Sequence, residues 1–283
     1  MLKAALQKSG RLSENSLRLI RECDIDVSNG AGTLKATACN FPLEVLFLRD
    51  DDIPQYVADG VADIGIVGEN VVHEKNRDVV TVHRLGFGHC RLSLAVPRHV
   101  EYDGLRYFQG RKIATSYPAI LSEFLRTKGI TAVIEEISGS VEIAPGIGLA
   151  DGICDLVGTG STLFMNGLRE VEVVMRSQAA LISRPDLDSE NEVLLQQLLF
   201  RMRAVGNADR YRYILLNAPD EALPEIINIL PGIKSPTVMP LAREGWSSLH
   251  SVLDKEEFWD VIDRLKTAGA EGLLVVPIEA MVV

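Results

Sequence analysis

The sequence predicts an α/β protein in which two lobes with parallel sheets are followed by a small third domain. Strand-like apolar runs alternate with helix-like segments over roughly the first 180 residues, a pattern typical of parallel sheets covered by helices. Beyond Arg184 the order changes to βαββαβ, which is the ferredoxin-like signature. A chain of 283 residues is long enough to bury the cores of two or three such domains.

The elements of the two lobes follow from apolar runs of strand length and from apolar residues at helical spacing. Helices are expected near Leu12–Cys23, Asp51–Asp59 and Ala119–Lys128. The expected strands are, in order, Lys3–Leu6, Leu43–Leu48, Asp63–Val67, Arg91–Val96, Lys112–Thr115, Ala132–Ile137, Ile153–Val157, Val171–Met175 and Ala179–Ser183. Chain continuity suggests that the first lobe's sheet resumes with the last two strands. We therefore predict lobe I at residues 1–90 with 170–184, and lobe II at residues 91–169.

The rest of the chain is predicted to form a linker helix and a third domain. Apolar spacing indicates a long helix, Glu190–Val205, within a linker at residues 185–206. The third domain, residues 207–283, is expected to contain the strands Tyr211–Leu216, Thr237–Leu241, Leu249–Leu253 and Gly272–Val276, and helices from Pro219 to about Leu230-Pro231-Gly232 and from Lys255 to Thr267. By analogy at the level of the fold, such an appended domain is often a ligand-sensing module.

Composition and charge exclude several classes of function. The chain carries 39 acidic and 29 basic side chains, whereas a nucleic-acid-binding protein normally has a basic excess. No apolar run approaches the length of a membrane span, and Met1–Lys8 turns polar too early for a signal peptide. The four cysteines lack metal-ligand spacing. Buried structural thiols in a reducing, cytoplasmic compartment are therefore expected.

The strongest local signal is the segment Asp155–Thr162, where an apolar strand ends in two glycines and three hydroxyl residues. Gly158 and Gly160 allow the backbone to approach a ligand closely and to turn its N–H groups inward. The hydroxyls of the loop add donors, and the following helix start adds a favourable dipole. Together these features predict a site for a phosphate dianion, with Asp155 placed to accept from sugar hydroxyls or to contact a magnesium ion.

A simpler interpretation of this loop is a glycine-rich turn whose Ser or Thr caps a helix. The loop is not a Walker motif, because no lysine follows its second glycine. It is not a dinucleotide fingerprint either, because the third glycine is missing. The loop by itself therefore leaves phosphate binding and simple capping both open.

Four further segments lie where predicted strands end. Lys8 and Arg11 flank a Ser-Gly turn, which concentrates positive charge, although capping by Ser13 would also explain the segment. The acids of Arg49-Asp50-Asp51-Asp52-Ile53-Pro54 can be explained by a helix start alone. The other two segments are Asp63–Asn70 and Gly139–Pro145, which includes Glu142. Ligands of open α/β sheets bind beyond the carboxyl ends of strands, so all five segments can face one cleft.

Taken together, these segments closely resemble the long form of the ATP phosphoribosyltransferase family. The similarity is collinear over essentially the whole chain. It is carried by Gln7–Leu12, Arg49–Pro54, Asp63–Asn70, Cys90–Ala95, Ile113–Pro118, Gly139–Glu142, Asp155–Leu163, Asn166–Val171, Ser235–Thr237 and Pro277–Glu279. The resemblance implies a two-lobed fold of the type II periplasmic-binding-protein kind, with a ferredoxin-like regulatory domain. Only Asp155 precedes the Thr-Gly pair, whereas the commoner phosphoribosyltransferase fold has two adjacent acids there.

The family's reaction is attack by N1 of the ATP adenine on the anomeric carbon of 5-phosphoribosyl 1-pyrophosphate (PRPP), with loss of magnesium-bound pyrophosphate. The resemblance implies that Asp155, Gly158, Thr159, Gly160, Ser161 and Thr162 bind PRPP. It implies that ATP and phosphate groups are bound by Lys8, Ser9, Gly10, Arg11, Arg49, Asp63, Gly65 and Glu69. Magnesium is the expected cofactor, with Asp155 and Glu142 as candidate ligands. We assign no general base, because alignment and charge neutralisation are the main requirements.

The family's C-terminal domain binds histidine as a feedback inhibitor. The positions where that site would lie are Ser235, Thr237, Val252 and Gly272, although Val252 is equally well explained as a core residue. A homo-oligomer between dimer and hexamer is expected, with histidine shifting the population towards an inactive form.

Two other functions fit the two-lobed outline. A prephenate dehydratase-like enzyme also has two lobes and a small regulatory domain, but its carboxylate substrate needs no phosphate loop, so Gly158–Thr162 argues against it. A small-molecule binding protein without catalysis usually carries an export signal, which Met1–Lys8 does not resemble. Magnesium-dependent release of pyrophosphate from ATP and PRPP would distinguish the transferase from both.

Overall fold

A computed structural model of the chain describes residues 1–27, 33–230, 232 and 235–282. The chain divides into two compact units, Met1–Gln196 and Gln197–Val283. The first unit contains two sheets, and the second contains one. None of the helices in the described residues is long and apolar enough to cross a membrane.

The first sheet has the strand order β2-β3-β1-β4-β11-β5. Its strands and the helices between them are β1 (Leu2–Gln7), α1 (Arg11–Glu22), β2 (Lys35–Thr37), β3 (Leu43–Leu48), α2 (Ile53–Ala58), β4 (Ile64–Gly68), α3 (Glu69–Lys75), β5 (Val80–Arg84) and, later in the chain, β11 (Ala179–Ser183). Strands β1, β3 and β4 are parallel, whereas β11 runs antiparallel to β4 and β5. The parallel centre of this sheet agrees with the predicted alternation of strands and helices.

The second sheet has the order β10-β6-β9-β7-β8. Its elements are β6 (Cys90–Pro97), β7 (Lys112–Thr115), α4 (Pro118–Lys128), β8 (Val133–Glu136), β9 (Gly152–Val157), α5 (Ser161–Met165) and β10 (Leu168–Ser177). Strands β7, β8 and β9 are parallel, and β6 is antiparallel to both β9 and β10. Both faces are covered: Leu92 and Leu94 pack into one core, and Ala95 packs into the other. Continuous apolar runs are typical of strands buried on both faces.

The prediction that Val171–Met175 belongs to the first sheet was wrong. This segment lies in β10, which pairs with β6 along its whole length, from Leu168 opposite Pro97 to Ser177 opposite Cys90. The chain therefore returns to the first sheet only after Ser177. The register of β10 against β6 decides this assignment, and chain continuity does not reveal it.

The second unit has the sheet order β13-β14-β12-β15, with all pairs antiparallel. Helix α6 (Ser189–Arg210) spans the division between the units, and is followed by β12 (Tyr211–Pro219), α7 (Leu223–Ile229), β13 (Thr237–Pro240), β14 (Trp246–Asp254), α8 (Phe258–Thr267) and β15 (Glu271–Pro277). This is the predicted ferredoxin-like arrangement. Pro231, at the predicted end of α7, lies outside the described residues.

The thiols agree only in part with the expectation of buried cysteines. Cys23 and Cys154 are buried, whereas Cys90 is half-buried and Cys39 is exposed. None of the four forms a disulfide. Cys39 lies beyond the end of β2 in an exposed turn, which apolar patterning around it did not reveal.

Candidate functional site

Residues at the carboxyl ends of parallel strands of both sheets contact each other in the first unit, where Asn70 after β4 bonds to Tyr117 after β7. We call the region between these strand ends the cleft. The chain passes from the second sheet to the first through Gln178, because Ser177 ends β10 and Ala179 begins β11. Ser177 lies opposite Cys90, beside the carboxyl end of β9, and Ala179 lies opposite Gly68, at the carboxyl end of β4. This crossing joins the two edges where ligands bind in open α/β sheets.

The loop Gly158–Thr162 connects the end of β9 to α5 at this cleft. Gly160 has a φ of 83°, a left-handed conformation in which only glycine avoids a steric penalty. The hydroxyls of Thr159 and Ser161 are 3.1 Å apart, on the exposed side of the loop. The first N–H groups of a helix have no intrahelical acceptor. The loop therefore presents hydroxyl and amide donors together, as a phosphate requires.

Asp155 lies half-buried on β9, just before this loop. Its Oδ1 accepts a hydrogen bond of 2.8 Å from the N–H of Leu156. Burial raises the pKa of the Asp155 carboxyl and the nearby charge of Glu142 raises it further, while the Leu156 N–H opposes the change. The single N–H contact does not offset the free-energy cost of burying an ionised carboxylate here. Hydroxyl donors or a cation from a ligand would therefore stabilise the charged form.

Tyr117 is a residue of the site that the sequence did not reveal by itself. It follows β7 at the carboxyl edge, and its hydroxyl accepts a hydrogen bond of 3.3 Å from Asn70 Nδ2 on α3. Burial raises the pKa of Tyr117, as do the charges of Asp155 and, from the first sheet, Asp50 and Asp51. The phenol thus lies among carboxylates of both sheets. The sequence signal that could have identified Tyr117 as a site residue is its position just after a strand of the second sheet.

Asn70 is buried and holds the two sheets together behind Tyr117. Its backbone N–H donates to Ser177 Oγ at 3.1 Å, and Ser177 Oγ donates to Asn70 Oδ1 at 2.8 Å. A Cβ at Gly68 would lie 2.3 Å from Asn70 Oδ1, so any larger residue there would push this oxygen away from its bond to Ser177. Asn70 appeared in the sequence only as the end of a small, polar segment.

The basic residues after β1 and β3 lie exposed at the same edge of the first sheet. Helix α1 begins at Arg11, directly after Gly10, whose φ is 94°. Ser13 therefore lies inside the helix, and the alternative explanation that it caps the helix is wrong. The backbone N–H of Lys8 donates to the carbonyl of Leu48 at 2.7 Å, which brings Lys8 beside Arg49. Lys8, Ser9, Gly10, Arg11 and Arg49 can thus serve one anionic ligand.

The acids after Arg49 form a short 3-10 helix, Asp50–Asp52, that leads into α2. Burial and the charge of Asp51 raise the pKa of Asp50. Asp51 Oδ1 lies 3.6 Å from Lys75 Nζ. A helix start therefore explains the run of acids, as the sequence indicated, and also places Asp50 towards Tyr117.

Three residues predicted for the nucleotide side lie elsewhere or have other partners. Asp63 precedes β4 at its amino end; its carboxylate accepts from Lys3 N–H at 2.9 Å and lies 3.4 Å from Arg184 Nε. Gly65 is buried, and a Cβ there would lie 2.6 Å from Ile53 Cγ2, so helix packing requires this glycine. Glu69 pairs with Arg84 at 2.7 Å. The predicted strand Asp63–Val67 already placed Asp63 at the amino end, so its assignment to the nucleotide side rested on the family resemblance alone.

The four residues predicted for histidine binding do not come together within one copy of the second unit. Thr237 lies on the edge strand β13, and Gly272 lies on the opposite edge strand β15. Three strand spacings separate these edges by about 14 Å. Val252 is half-buried on β14, and Ser235 is exposed before β13. Only Thr237 and Val252 lie on neighbouring strands.

Metal-binding side chains are sparse around the cleft. Among the described residues, no group of three or more His, Cys, Asp or Glu side chains could hold a metal ion. The carboxylates of Asp155 and Glu142 are near enough for Glu142 to raise the pKa of Asp155. Two carboxylates together with substrate oxygens are a common way to hold Mg²⁺.

Comparison with known proteins finds relatives over the whole length of the chain. The family model described as ATP phosphoribosyltransferase matches residues 49–204, and the model described as HisG, C-terminal domain, matches residues 208–280. A protein of Cytophaga hutchinsonii named ATP phosphoribosyltransferase is 60% identical over 282 residues, which covers 100% of this chain and 99% of that protein. A protein of Bacteroides thetaiotaomicron with the same name is 57% identical over 283 residues, with 100% of both chains covered.

Solved structures share the two-lobed fold. An ATP phosphoribosyl transferase (HisG:HisZ) complex from Thermotoga maritima matches with a TM-score of 0.64 and 26% identity, covering 74% of this chain and 99% of that chain. A histidine kinase sensor domain with similarity to periplasmic binding proteins matches in fold, with a TM-score of 0.50, 11% identity, and coverage of 74% and 91%. The predicted periplasmic-binding-protein-like architecture is confirmed.

Proposed function

Because this chain belongs to the ATP phosphoribosyltransferase family, in the long form that carries the C-terminal domain, we propose which of its residues bind the two substrates. The enzyme joins N1 of the ATP adenine to PRPP and releases pyrophosphate, the first step of L-histidine biosynthesis. The observation that carries the assignment is the convergence of Asp155, the loop Gly158–Thr162 and Tyr117 at one cleft.

PRPP is proposed to bind at the end of β9. The 5-phosphate would lie against the hydroxyl and amide donors of Gly158–Thr162, and Asp155 would accept from the ribose hydroxyls. The close approach that a phosphate needs is supported by the glycine conformation of Gly160. Within the part of the chain that the structure describes, no cationic side chain pairs with the half-buried carboxylate of Asp155, which suits it to hydroxyl donors.

ATP is proposed to approach from the first sheet. Lys8, Ser9, Gly10, Arg11 and Arg49 lie exposed at its carboxyl edge and would bind the phosphate groups. Their positive charge stands out on a chain with a formal net charge of −10. Asp63 and Gly65 are left out of this set, because Asp63 lies before β4 and pairs with Arg184, and Gly65 is packed against Ile53. Glu69, at the carboxyl end of β4 and paired with Arg84, stays a candidate for the nucleotide side.

Magnesium is the proposed cofactor, with Asp155 and Glu142 as its candidate protein ligands. These carboxylates repel each other, so a cation between them would lower the energy of both ionised forms. When bound together with pyrophosphate, magnesium would neutralise part of the charge of the leaving group.

The protein residues are proposed to act by alignment and not by proton transfer. Adenine N1 attacks with a ring lone pair, so no proton has to be removed before the new bond forms. Positive charge develops on the ribose as pyrophosphate leaves, and the fixed carboxylate of Asp155 is placed near it. We therefore assign no general base, and we assign the rate gain to orientation and electrostatics.

Feedback inhibition by L-histidine is proposed to act through the second unit, at Ser235, Thr237, Val252 and Gly272. A single histidine cannot span the sheet from Thr237 to Gly272, so we propose that two copies of the chain contribute to each site. The active protein would then be a homo-oligomer, between dimer and hexamer. A reducing, cytoplasmic compartment is also proposed, in keeping with four cysteines that form no disulfide.

The test is an assay of pyrophosphate release from ATP and PRPP, with and without magnesium and with and without histidine. We expect release that requires magnesium and decreases with histidine. Pyrophosphate release that continues after all magnesium has been removed would contradict the cofactor assignment. Release unaffected by histidine would contradict only the regulatory assignment.

A further inference from the structure

Arg91 makes a set of contacts beside the phosphate loop that the proposed substrate contacts do not use. It is the second residue of β6, and it lies opposite Val157, the last residue of β9. Its side chain is half-buried, with 29% of its surface exposed. Because Arg91 lies opposite the residue that precedes Gly158, its long cationic side chain can contact the loop.

The guanidinium of Arg91 is fixed by Glu170 on the other side of β6. Arg91 Nε donates to Glu170 Oε1 and Nη2 donates to Oε2, both at 2.5 Å, so the pair is bidentate. Ser93 Oγ donates to the same Oε1 at 2.8 Å. A bidentate Arg–carboxylate pair fixes the plane of the guanidinium as well as its position. Glu170 also balances the positive charge of Arg91.

The remaining arm of the guanidinium contacts the loop itself. Arg91 Nη1 donates to the carbonyl oxygen of Gly158 at 3.1 Å. In a trans peptide the C=O and the following N–H point in opposite directions within one plane. Holding the Gly158 carbonyl towards Arg91 therefore turns the N–H of Thr159 to the opposite side of the loop. Glycine at 158 has the freest backbone torsions, so without this contact the peptide could rotate.

We propose that Arg91, held by Glu170 and Ser93, is a positioning residue that sets the orientation of the Gly158–Thr159 peptide, so that its N–H faces the bound 5-phosphate of PRPP. This inference rests on the proposed function, in which the loop binds that phosphate. Arg91 acts through the peptide and makes no contact with substrate. Its pairing with Glu170 distinguishes it from Lys8 and Arg49, which are free to bind phosphates directly.

The test compares steady-state kinetics of Arg91→Ala, Arg91→Lys and Glu170→Gln with the wild-type enzyme. We expect Arg91→Ala to raise KM for PRPP about 10-fold or more while KM for ATP stays nearly constant. Arg91→Lys should give a smaller rise, because lysine keeps the charge but lacks the planar fork. Since the pair acts as one unit, Arg91→Ala and Glu170→Gln should be less than additive.

Two controls separate the possible outcomes. Arg126 forms a bidentate pair with Glu123 in the same sheet's helix α4, without contacting the loop, so Arg126→Ala should leave both KM values unchanged. Equal rises in both KM values with a lower Tm would overturn the proposal in favour of a merely structural role. Unchanged KM for PRPP in both Arg91 variants would also overturn it. If the double variant Thr159→Ala with Thr162→Ala raises KM for PRPP in the same assay, the loop would still be the phosphate site even though the role of Arg91 is overturned.

Discussion

At the scale of single residues, the cleft combines donors for a phosphate with carboxylates that the protein leaves incompletely compensated. The loop Gly158–Thr162 offers hydroxyl and amide groups, and Asp155 stands half-buried beside it. Its neighbours Glu142 and Tyr117 supply no positive charge. The same incompletely compensated carboxylates can therefore bind substrate groups and also lower the stability of the folded chain.

The first residue-scale prediction concerns the loop hydroxyls. Thr159→Ala with Thr162→Ala should raise KM for PRPP by at least about 10-fold, because hydrogen bonds to charged groups contribute about 1.5–3 kcal/mol each. KM for ATP should change little. Initial rates at varied PRPP and ATP measure both values. Thr131→Ala, at an exposed position outside the cleft, serves as the control, and an unchanged KM for PRPP in the double variant would place the phosphate elsewhere.

The second residue-scale prediction concerns Asp155. Burial and Glu142 raise the pKa of its carboxyl, so the folded chain binds this proton more tightly than the unfolded chain does. The resulting stability is present below the carboxyl's ordinary pKa and is lost as pH rises through the higher folded value. Asp155→Asn should therefore raise Tm at pH values above the folded pKa and change it little in acid.

The same Asp155→Asn variant should lose kcat/KM for PRPP, because a neutral amide cannot supply the fixed charge near the ribose. Thermal melts across the acid-to-neutral range and initial rates at neutral pH measure the two effects. A variant that is less stable than wild type at neutral pH would contradict the assigned cause of the pKa change.

At the scale of elements, the two sheets of the first unit are connected by helix ends as well as by the crossing strands. The carboxylate of Glu74, on α3, accepts hydrogen bonds from the N–H groups of Ala119 and Ile120 at 2.9 and 3.0 Å. These groups belong to the first turn of α4, where no earlier residue in the helix can accept from them. An acid from one sheet's helix thus caps a helix of the other, next to Tyr117.

The element-scale prediction is that Glu74→Gln lowers stability by about 0.5–2 kcal/mol, the range for loss of a helix N-terminal cap. The amide keeps one acceptor but loses the charge that the helix dipole favours. Chemical denaturation measures the change. Glu123→Gln, which alters an exposed pair with Arg126 on α4, should have a smaller effect. Equal effects of both variants would mean that Glu74 is not a cap.

At the scale of the whole molecule, regulation is expected to depend on association of copies. Thr237 and Gly272 lie on opposite edges of a four-stranded sheet, too far apart for one histidine molecule. A site that uses both needs a second chain. Ligand binding and assembly are then linked, since a ligand that binds only the assembled form must favour assembly.

The prediction at this scale is that histidine promotes self-association and inhibits less well on dilution. Sedimentation velocity with and without histidine, and inhibition curves at several enzyme concentrations, provide the measurement. Thr237→Val should abolish the histidine effect without changing association in its absence. A monomer that binds histidine with undiminished affinity would show that one copy forms the site.

Much of the fold and part of the site were open to prediction from sequence. Strand β3, with its unbroken apolar run, was placed at Leu43–Leu48 as observed, and the turn chemistry of Gly158–Thr162 marked the loop correctly. Asp63 was assigned to the site through the family resemblance alone, because the predicted strand Asp63–Val67 already placed it at the amino end of β4. Arg91 was missed because it is the second residue of an antiparallel strand, whose amino end lies at the same edge as the carboxyl end of β9.

The sequence by itself determined the local elements and the family, and it predicted a phosphate site at Asp155–Thr162, because apolar periodicity and turn residues act over short stretches of chain. Only the tertiary structure decided which sheet contains β10, which partners hold Arg91, and how far Thr237 lies from Gly272. These features depend on strand order and register between segments that are distant in sequence, and local propensity carries no information about such pairings.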